Sequence, residues 1–107
     1  MKRPLIAAIR PQAREDVDAI AATIKAEHPD AALRFLDDFD AAVDRLLQFP
    51  ELAQVWLTNR PEALSTIRRF VMAGFRVSIF YRPTVTTLEV LRVLHHSQDA
   101  TAIIDEP

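Results

Sequence analysis

The sequence contains no cysteine, so it offers neither a disulfide framework nor a thiolate metal site. It contains one glycine, Gly74, which excludes the glycine-rich loops that bind nucleotide phosphates. The apolar run that follows the basic N-terminus ends at Arg10, too early for a signal peptide or a membrane-spanning helix. We therefore expect a soluble cytoplasmic protein with no cofactor and no bound metal.

The chain length predicts a single domain spanning residues 1–107. Half of the residues are hydrophobic, which is typical of a globular protein and not of a disordered one. A chain of this size buries roughly 65% of the surface that its unfolded form exposes, enough for one ordinary core.

The net charge of −2 is unevenly distributed. Residues 1–54 carry seven basic and ten acidic side chains, whereas residues 60–96 carry six arginines and two acids. A dedicated nucleic-acid-binding protein is usually basic overall, and this chain is not. An arginine-lined face that meets an acidic protein segment agrees with these charges at least as well.

Residues 65–95 predict a meander of three strands, over 65–72, 75–82 and 87–94, with turns at Gly74 and at residues 83–86. The middle strand alternates with the period of two that a pleated strand requires. One of its faces carries Phe75, Val77, Ile79 and Tyr81, and the other carries Arg76, Ser78, Phe80 and Arg82.

The first half of the chain predicts a strand over residues 4–10 and two helices over 11–28 and 29–49. Apolar residues recur at helical spacing in both helices. The link between them is only His28-Pro29, so the helices should form an antiparallel hairpin. Residues 51–64 predict a loop in which Trp56 and Leu57 fold back on the core and Arg60-Pro61 marks a turn.

Together these elements predict an α+β fold in which the hairpin covers one face of a four-stranded sheet. The opposite face carries Phe80, Phe70 or their neighbours, and only the tail, residues 98–107, remains to cover it. A monomer rarely leaves a large apolar patch open, so this face predicts a partner.

Several short strings add to this order of elements. They are Pro11-Gln-Ala-Arg-Glu-Asp16, Ala32-Leu-Arg-Phe35, Phe49-Pro50, Arg68-Arg69-Phe70, Ile79-Phe-Tyr-Arg82, and Leu91-Arg-Val-Leu-His95 followed by Asp99. In their combined order and spacing, from about Ile6 to Asp99, the chain resembles the ParE branch of the RelE/ParE toxin superfamily, the toxins of bacterial toxin–antitoxin pairs.

The resemblance implies a RelE/ParE-like fold and a toxin that poisons DNA gyrase by binding, without a cofactor. It also implies a ParD-like antitoxin, with a ribbon-helix-helix DNA-binding part and a C-terminal segment that wraps the toxin. We expect that segment to lie across the apolar sheet face or in the groove beside the helices. Two alternatives stay open, a ribosome-dependent mRNA endonuclease like RelE and a non-toxic relative that only binds its antitoxin.

Catalysis of RNA cleavage needs a base, an acid and a cation for the phosphate. If the resemblance extends to RelE-type enzymes, it implies a catalytic set of lysines, arginines and often a C-terminal tyrosine. The lysines here, Lys2 and Lys25, lie far from the strands, and Tyr81 is the only tyrosine. Binding is therefore favoured over catalysis, and the nuclease alternative would use Arg69, Arg92 and His95 or His96.

The candidate partner-binding residues lie on the strands and just after them. Two of them, Arg69 and Arg92, have an alternative role in salt bridges to the acidic helices or to Glu89. Metal binding at His95-His96 is disfavoured, because adjacent histidines on a strand point to opposite faces. The full set is Arg68, Arg69, Tyr81, Arg82, Arg92, His95 and His96.

Overall fold

A computed structural model describes residues 5–56 and 67–104 of the chain as helices and strands packed around one sheet. A 3-10 turn at Ala73–Phe75 separates two of the strands. The other elements, in chain order, are β1 (Ile6–Ile9), α1 (Pro11–Glu27), α2 (Pro29–Gln48), β2 (Gln54–Val55), β3 (Arg68–Met72), β4 (Val77–Pro83), β5 (Thr87–His95) and α3 (Ala100–Ile104).

The sheet has five strands in the order β1-β5-β4-β3-β2. The pairs β2–β3, β3–β4 and β4–β5 are antiparallel, whereas β1 runs parallel to β5. A parallel pair needs a long crossover connection, which the helical hairpin and the meander provide. The predicted α+β order of one strand, two helices and a three-stranded meander is confirmed.

The helical hairpin packs on one face of the sheet and forms the larger of two cores. Only His28 separates α1 from α2, and Pro29 occupies the first position of α2, where a missing N–H is tolerated. The buried side chains of this core include Val17, Phe35, Phe39 and Leu46 from the helices and Val77, Ile79, Tyr81, Leu88, Val90 and Val93 from the strands.

The opposite face of the sheet holds a second, smaller core. Ile67, Phe80, Leu91 and Leu94 are buried there, and Trp56 and the apolar side of α3 pack against them. The expectation that this face stays open for a partner is therefore wrong. Phe80 is only 2% exposed, because the tail folds into a short helix over it.

A β-bulge in β5 decides which of its side chains enter each core. Tyr81 pairs with Val90 and Phe80 pairs with Arg92, so Leu91 is an additional residue in the ladder. The bulge shifts the alternation by one position. As a result, Val93 shares the helix side with Val90, and Leu94 lies on the other side with Leu91.

The structure also adjusts several predicted elements. Phe75 lies in the 3-10 turn and not in the middle strand, and Arg76 leaves this turn with a left-handed φ of 54°. The predicted loop and tail contain β2 and α3. The predictions for Leu57, for the Arg60-Pro61 turn and for residues 65–66 of the second strand lie outside the described residues.

No helix in residues 5–56 and 67–104 combines the length and the apolar character needed to cross a membrane.

A carboxylate from α1 completes the edge of β5 beyond the point where β1 ends. The last parallel pair is Ile9 with Val90, so the following residues of β5 have no β1 neighbour. Asp16 accepts a hydrogen bond from the backbone N–H of Val93 at 3.0 Å and two from the Arg92 guanidinium, at 2.7 and 2.9 Å. This contact ties the helical hairpin to the central part of the sheet.

Substitution of this carboxylate should destabilise the fold measurably. We expect Asp16→Ala to lower the free energy of unfolding by about 1–3 kcal/mol, because it leaves a half-buried guanidinium and a strand N–H without their acceptor. Asp18→Ala, at an exposed position two residues later, is the matched control and should change it by less than about 0.5 kcal/mol. Urea unfolding followed by circular dichroism measures both, and equal effects would contradict the role given to Asp16.

The single tyrosine of the chain is buried between the helices and the sheet. Tyr81 is fully buried, and its hydroxyl donates a hydrogen bond to the backbone carbonyl of Pro50 at 2.8 Å. This bond anchors the chain just after α2 to the middle of β4. Burial of the phenol raises the pKa of Tyr81 above its ordinary value of 10.0.

The raised pKa predicts how stability depends on alkaline pH. The folded state holds the phenol proton more tightly than the unfolded state, so this stabilisation is complete below pH 10.0 and is lost as pH rises through the folded-state pKa. Absorbance of the phenolate should show ionisation above 10.0 in the native protein and near 10.0 in urea. A native transition at or below 10.0 would contradict the burial of Tyr81.

Candidate functional site

Three polar side chains meet on the sheet face opposite the helical hairpin. Ser78 lies in β4, is 1% exposed, and is flanked by Val71 of β3 and Leu94 of β5 in the strand pairing. The Nε of Arg69 donates a hydrogen bond to Ser78 Oγ at 2.9 Å, and the same oxygen lies 3.0 Å from His96 Nε2. A buried serine thus holds one arginine and one histidine in fixed positions.

Aromatic rings form the floor beside this cluster. The guanidinium carbon of Arg69 lies 6.0 Å from the centre of the Phe80 ring, at the limit of a cation–π contact. Trp56 packs edge-on against Phe80, with ring centres 5.1 Å apart. The cluster and Trp56 line an open pocket of about 250 Å³, whose far wall is the start of α3.

Positively charged side chains lie near His96, the histidine of this cluster. The backbone N–H of His96 donates a hydrogen bond to the carbonyl of Arg76 at 2.8 Å. This bond holds Arg76 next to His96. Partial desolvation, then the charges of Arg69, His95 and Arg76, lower the pKa of His96 below its ordinary value of 6.5. Within the described residues, no ion pair involves Arg69 or Arg76.

Two of the predicted site arginines are held in internal ion pairs. Arg92 is bound by Asp16, and this carboxylate raises the pKa of Arg92 above its ordinary value. Arg82 lies 3.4 Å from Glu89, which Arg10 also contacts at 2.9 Å. Hydrogen bonds from both arginines, led by Arg10 and opposed by desolvation, lower the pKa of Glu89.

Two of the remaining predicted residues lie apart from the polar cluster, and the third, His95, lines the same pocket. Arg68 donates to the backbone carbonyl of Ala53 at 2.6 Å and so fixes the chain leading into β2. Tyr81 is buried in the larger core, which removes its ring from any exposed binding surface. The Nδ1 of His95 is 2.8 Å from Ser97 Oγ.

The structure brings together only part of the set considered for RNA cleavage. Arg69 is paired with His96 and not with His95, and Arg92 is taken up by Asp16. Sequence reasoning missed Ser78 as a site residue. The sequence feature that could have indicated Ser78 is its position as a serine between the apolar residues Val77 and Ile79 of the middle strand.

Metal ligands are not concentrated here. In residues 5–56 and 67–104, no group of three or more histidine, aspartate or glutamate side chains could hold an ion.

An apolar strip continues from this site along the outer edge of the sheet. We call it the β2–β3 edge and define it by Leu52, Val55 and Val71, which are 39–45% exposed. Because β2 has only two residues, it pairs with β3 at Arg68 and Arg69, and no other strand in residues 5–56 and 67–104 pairs with the rest of that edge. An open groove of about 540 Å³ runs along it, lined also by Arg69 and Trp56.

A solved structure has the same fold as this chain. A chain from the solved structure of the "Chromosomal ParDE TA system from P. aeruginosa" superposes with a TM-score of 0.71 over 86% of this chain and 96% of that chain. At 19% sequence identity, this likeness shows that the two share a fold.

Sequence comparison gives the family. Residues 8–100 match the family described as the ParE toxin of the type II toxin-antitoxin system, parDE. A protein of Sinorhizobium fredii (strain NBRC 101917 / NGR234) called "Putative toxin Y4kP" is 33% identical over 82 residues, which span 77% of this chain and 78% of that protein. The chain belongs to the ParE toxin family of type II toxin–antitoxin systems, as the resemblance predicted.

The electrostatic environment of the cluster can be measured directly. We expect NMR titration to give His96 a pKa below 6.5, and Arg69→Gln to move it towards 6.5 because a nearby positive charge is lost. Arg82→Gln removes an arginine that is paired with Glu89 and serves as the control. If Arg69→Gln leaves the His96 pKa unchanged, the two side chains do not share a site in solution.

Proposed function

We propose that this chain inhibits bacterial growth by binding DNA gyrase in the cytoplasm and is neutralised by a ParD-like antitoxin. The observation that supports this function most strongly is membership of the ParE toxin family over most of the chain. The antitoxin is expected to carry a ribbon-helix-helix DNA-binding part and a separate toxin-binding segment.

Action by binding is favoured because the site offers few groups for acid–base catalysis. RNA cleavage needs a proton acceptor and a proton donor placed around one phosphate. Among the described residues, Lys25 lies on α1 and Tyr81 is enclosed in the larger core, so neither reaches the pocket formed by Arg69 and His96. The side chains lining this pocket that could transfer a proton are His95, His96 and Asp99.

The β2–β3 edge supports a protein partner. Its exposed aliphatic side chains lie along β3, and among the described strands β2 pairs with only two residues on this side of β3. An amphipathic segment of a partner could add to such an edge. The second core is closed by the chain's own tail, so the antitoxin segment is better placed at this edge and in the adjoining groove than across the sheet face.

A ribosome-dependent mRNA endonuclease like RelE is the second candidate. The contact of Arg69 and His96 through Ser78 favours it, because a guanidinium could hold a phosphate while an imidazole with a lowered pKa accepts a proton. In that case both side chains are required for activity. A non-toxic relative that only binds its antitoxin is the remaining alternative.

These candidates differ in which synthesis stops first. We expect induction of the chain without its antitoxin to halt incorporation of labelled thymidine before that of labelled amino acids, and the purified chain to inhibit supercoiling by purified gyrase. Premixing the chain with antitoxin should restore supercoiling and is the control for specific inhibition.

An early collapse of protein synthesis would contradict the gyrase proposal. If Arg69→Gln and His96→Gln then each abolish cleavage of ribosome-bound mRNA, the nuclease candidate replaces it. Normal growth and unaffected supercoiling, with antitoxin binding retained, would identify a non-toxic relative.

A further inference from the structure

The polar cluster has more positive charge than its surroundings neutralise. Arg69 and Arg76 form no ion pair within the described residues, although both act on the same imidazole. Asp99 lines the same pocket and forms no ion pair with either arginine; its Oδ1 accepts the backbone N–H of Ala102 at 3.1 Å. Its single negative charge offsets only one of the two arginine charges. Like charges brought together in this way attract an anion.

Ser78 determines how the arginine is presented. Its Oγ accepts the Nε–H of Arg69. Neither terminal nitrogen of Arg69 has a hydrogen-bond partner in the described part of the chain. These two nitrogens form the fork that binds a carboxylate in two parallel hydrogen bonds. The buried serine therefore acts as a positioning residue that orients a guanidinium for an external ligand.

We propose that Arg69 and His96 form a carboxylate-binding site that receives an acidic side chain of the antitoxin. This inference rests on the proposed function, and it specifies where and how the antitoxin is recognised. Arg69 would bind the carboxylate through its terminal nitrogens, and the imidazolium form of His96 would add a charge-assisted contact.

Two observations favour an acidic peptide over a nucleic acid as the ligand: the charge of the chain and the direct connection between this site and the groove of the β2–β3 edge. The cluster is small and the whole chain carries a net charge of −2, whereas a nucleic-acid-binding surface is usually broad and basic. Arg69 and Trp56 also line the groove of the β2–β3 edge. One amphipathic segment can therefore place apolar side chains along that edge and a carboxylate at Arg69.

The site should couple antitoxin binding to proton uptake. In the free chain the pKa of His96 lies below 6.5, whereas a bound carboxylate would raise it, so affinity should increase as pH falls through this region. The groups that face this imidazole come from three places in the fold. They are Arg69 of β3, then Arg76 just before β4 and Ser78 within it, and finally His95 and Asp99 around the end of β5.

The test uses the whole chain given by the sequence and the ribbon-helix-helix antitoxin that the proposed function requires. Calorimetry gives the dissociation constant at about pH 5.5 and about pH 8, where histidine changes charge. We expect Arg69→Gln to weaken binding about tenfold or more and His96→Gln to remove the difference between the two pH values. Arg10→Gln, which removes an arginine paired with Glu89 and outside the candidate set, should bind within about twofold of the original chain.

The outcomes separate this inference from the function it rests on. If the original chain binds the antitoxin and Arg69→Gln binds equally well, the carboxylate site is wrong while the toxin–antitoxin function stands. If the original chain does not bind the antitoxin, both are overturned. Displacement of the antitoxin by a single-stranded RNA oligonucleotide, dependent on Arg69 and weakened by salt, would assign the site to nucleic acid instead.

Thermal unfolding by circular dichroism confirms that each variant is folded. Arg69→Lys is a second variant for the same site, because it keeps the positive charge and loses the planar fork. Weakened binding by this variant supports two-point recognition of a carboxylate. Full binding would overturn that geometry.

Discussion

The carboxylate of Asp16 supplies the directional contact that fixes the helical hairpin on the sheet. Burial of apolar side chains brings the layers together but is non-directional. Because β1 stops after four residues, the second half of β5 begins with an unpaired N–H at Val93, and Asp16 satisfies it. The position of His96, just beyond β5, depends on how this half of the strand is held.

The sheet separates two environments with different tasks. On the helix side, large apolar residues fill a continuous core that provides most of the buried area. On the other side, the core is smaller, and Ser78 interrupts it so that two basic side chains can be held at its border. The polar site therefore lies where packing is least extensive and where a partner can approach without disturbing the larger core.

Local sequence patterns predicted the elements that are long enough to show a regular spacing of apolar residues or a clear boundary residue. The alternation of Val77, Ile79 and Tyr81 gave the middle strand, and the proline after His28 gave the hairpin. The two residues of β2 and the five of α3 are too short to show a period. The bulge at Leu91 breaks the strict alternation of a pleated strand, so spacing alone could not assign the faces of β5.

The site was only partly predictable for a related reason. Arg69 and His96 were recognised as candidates, but their link depends on Ser78, and the ion pair of Arg92 joins residues 76 positions apart. Such contacts are set by the tertiary fold. The chain's one tryptophan and one tyrosine lie on opposite faces of the sheet, Trp56 against the smaller core and Tyr81 inside the larger one. Trp56 fluorescence and Tyr81 absorbance are thus built-in reporters of whether the two layers of the molecule separate together or in sequence during unfolding.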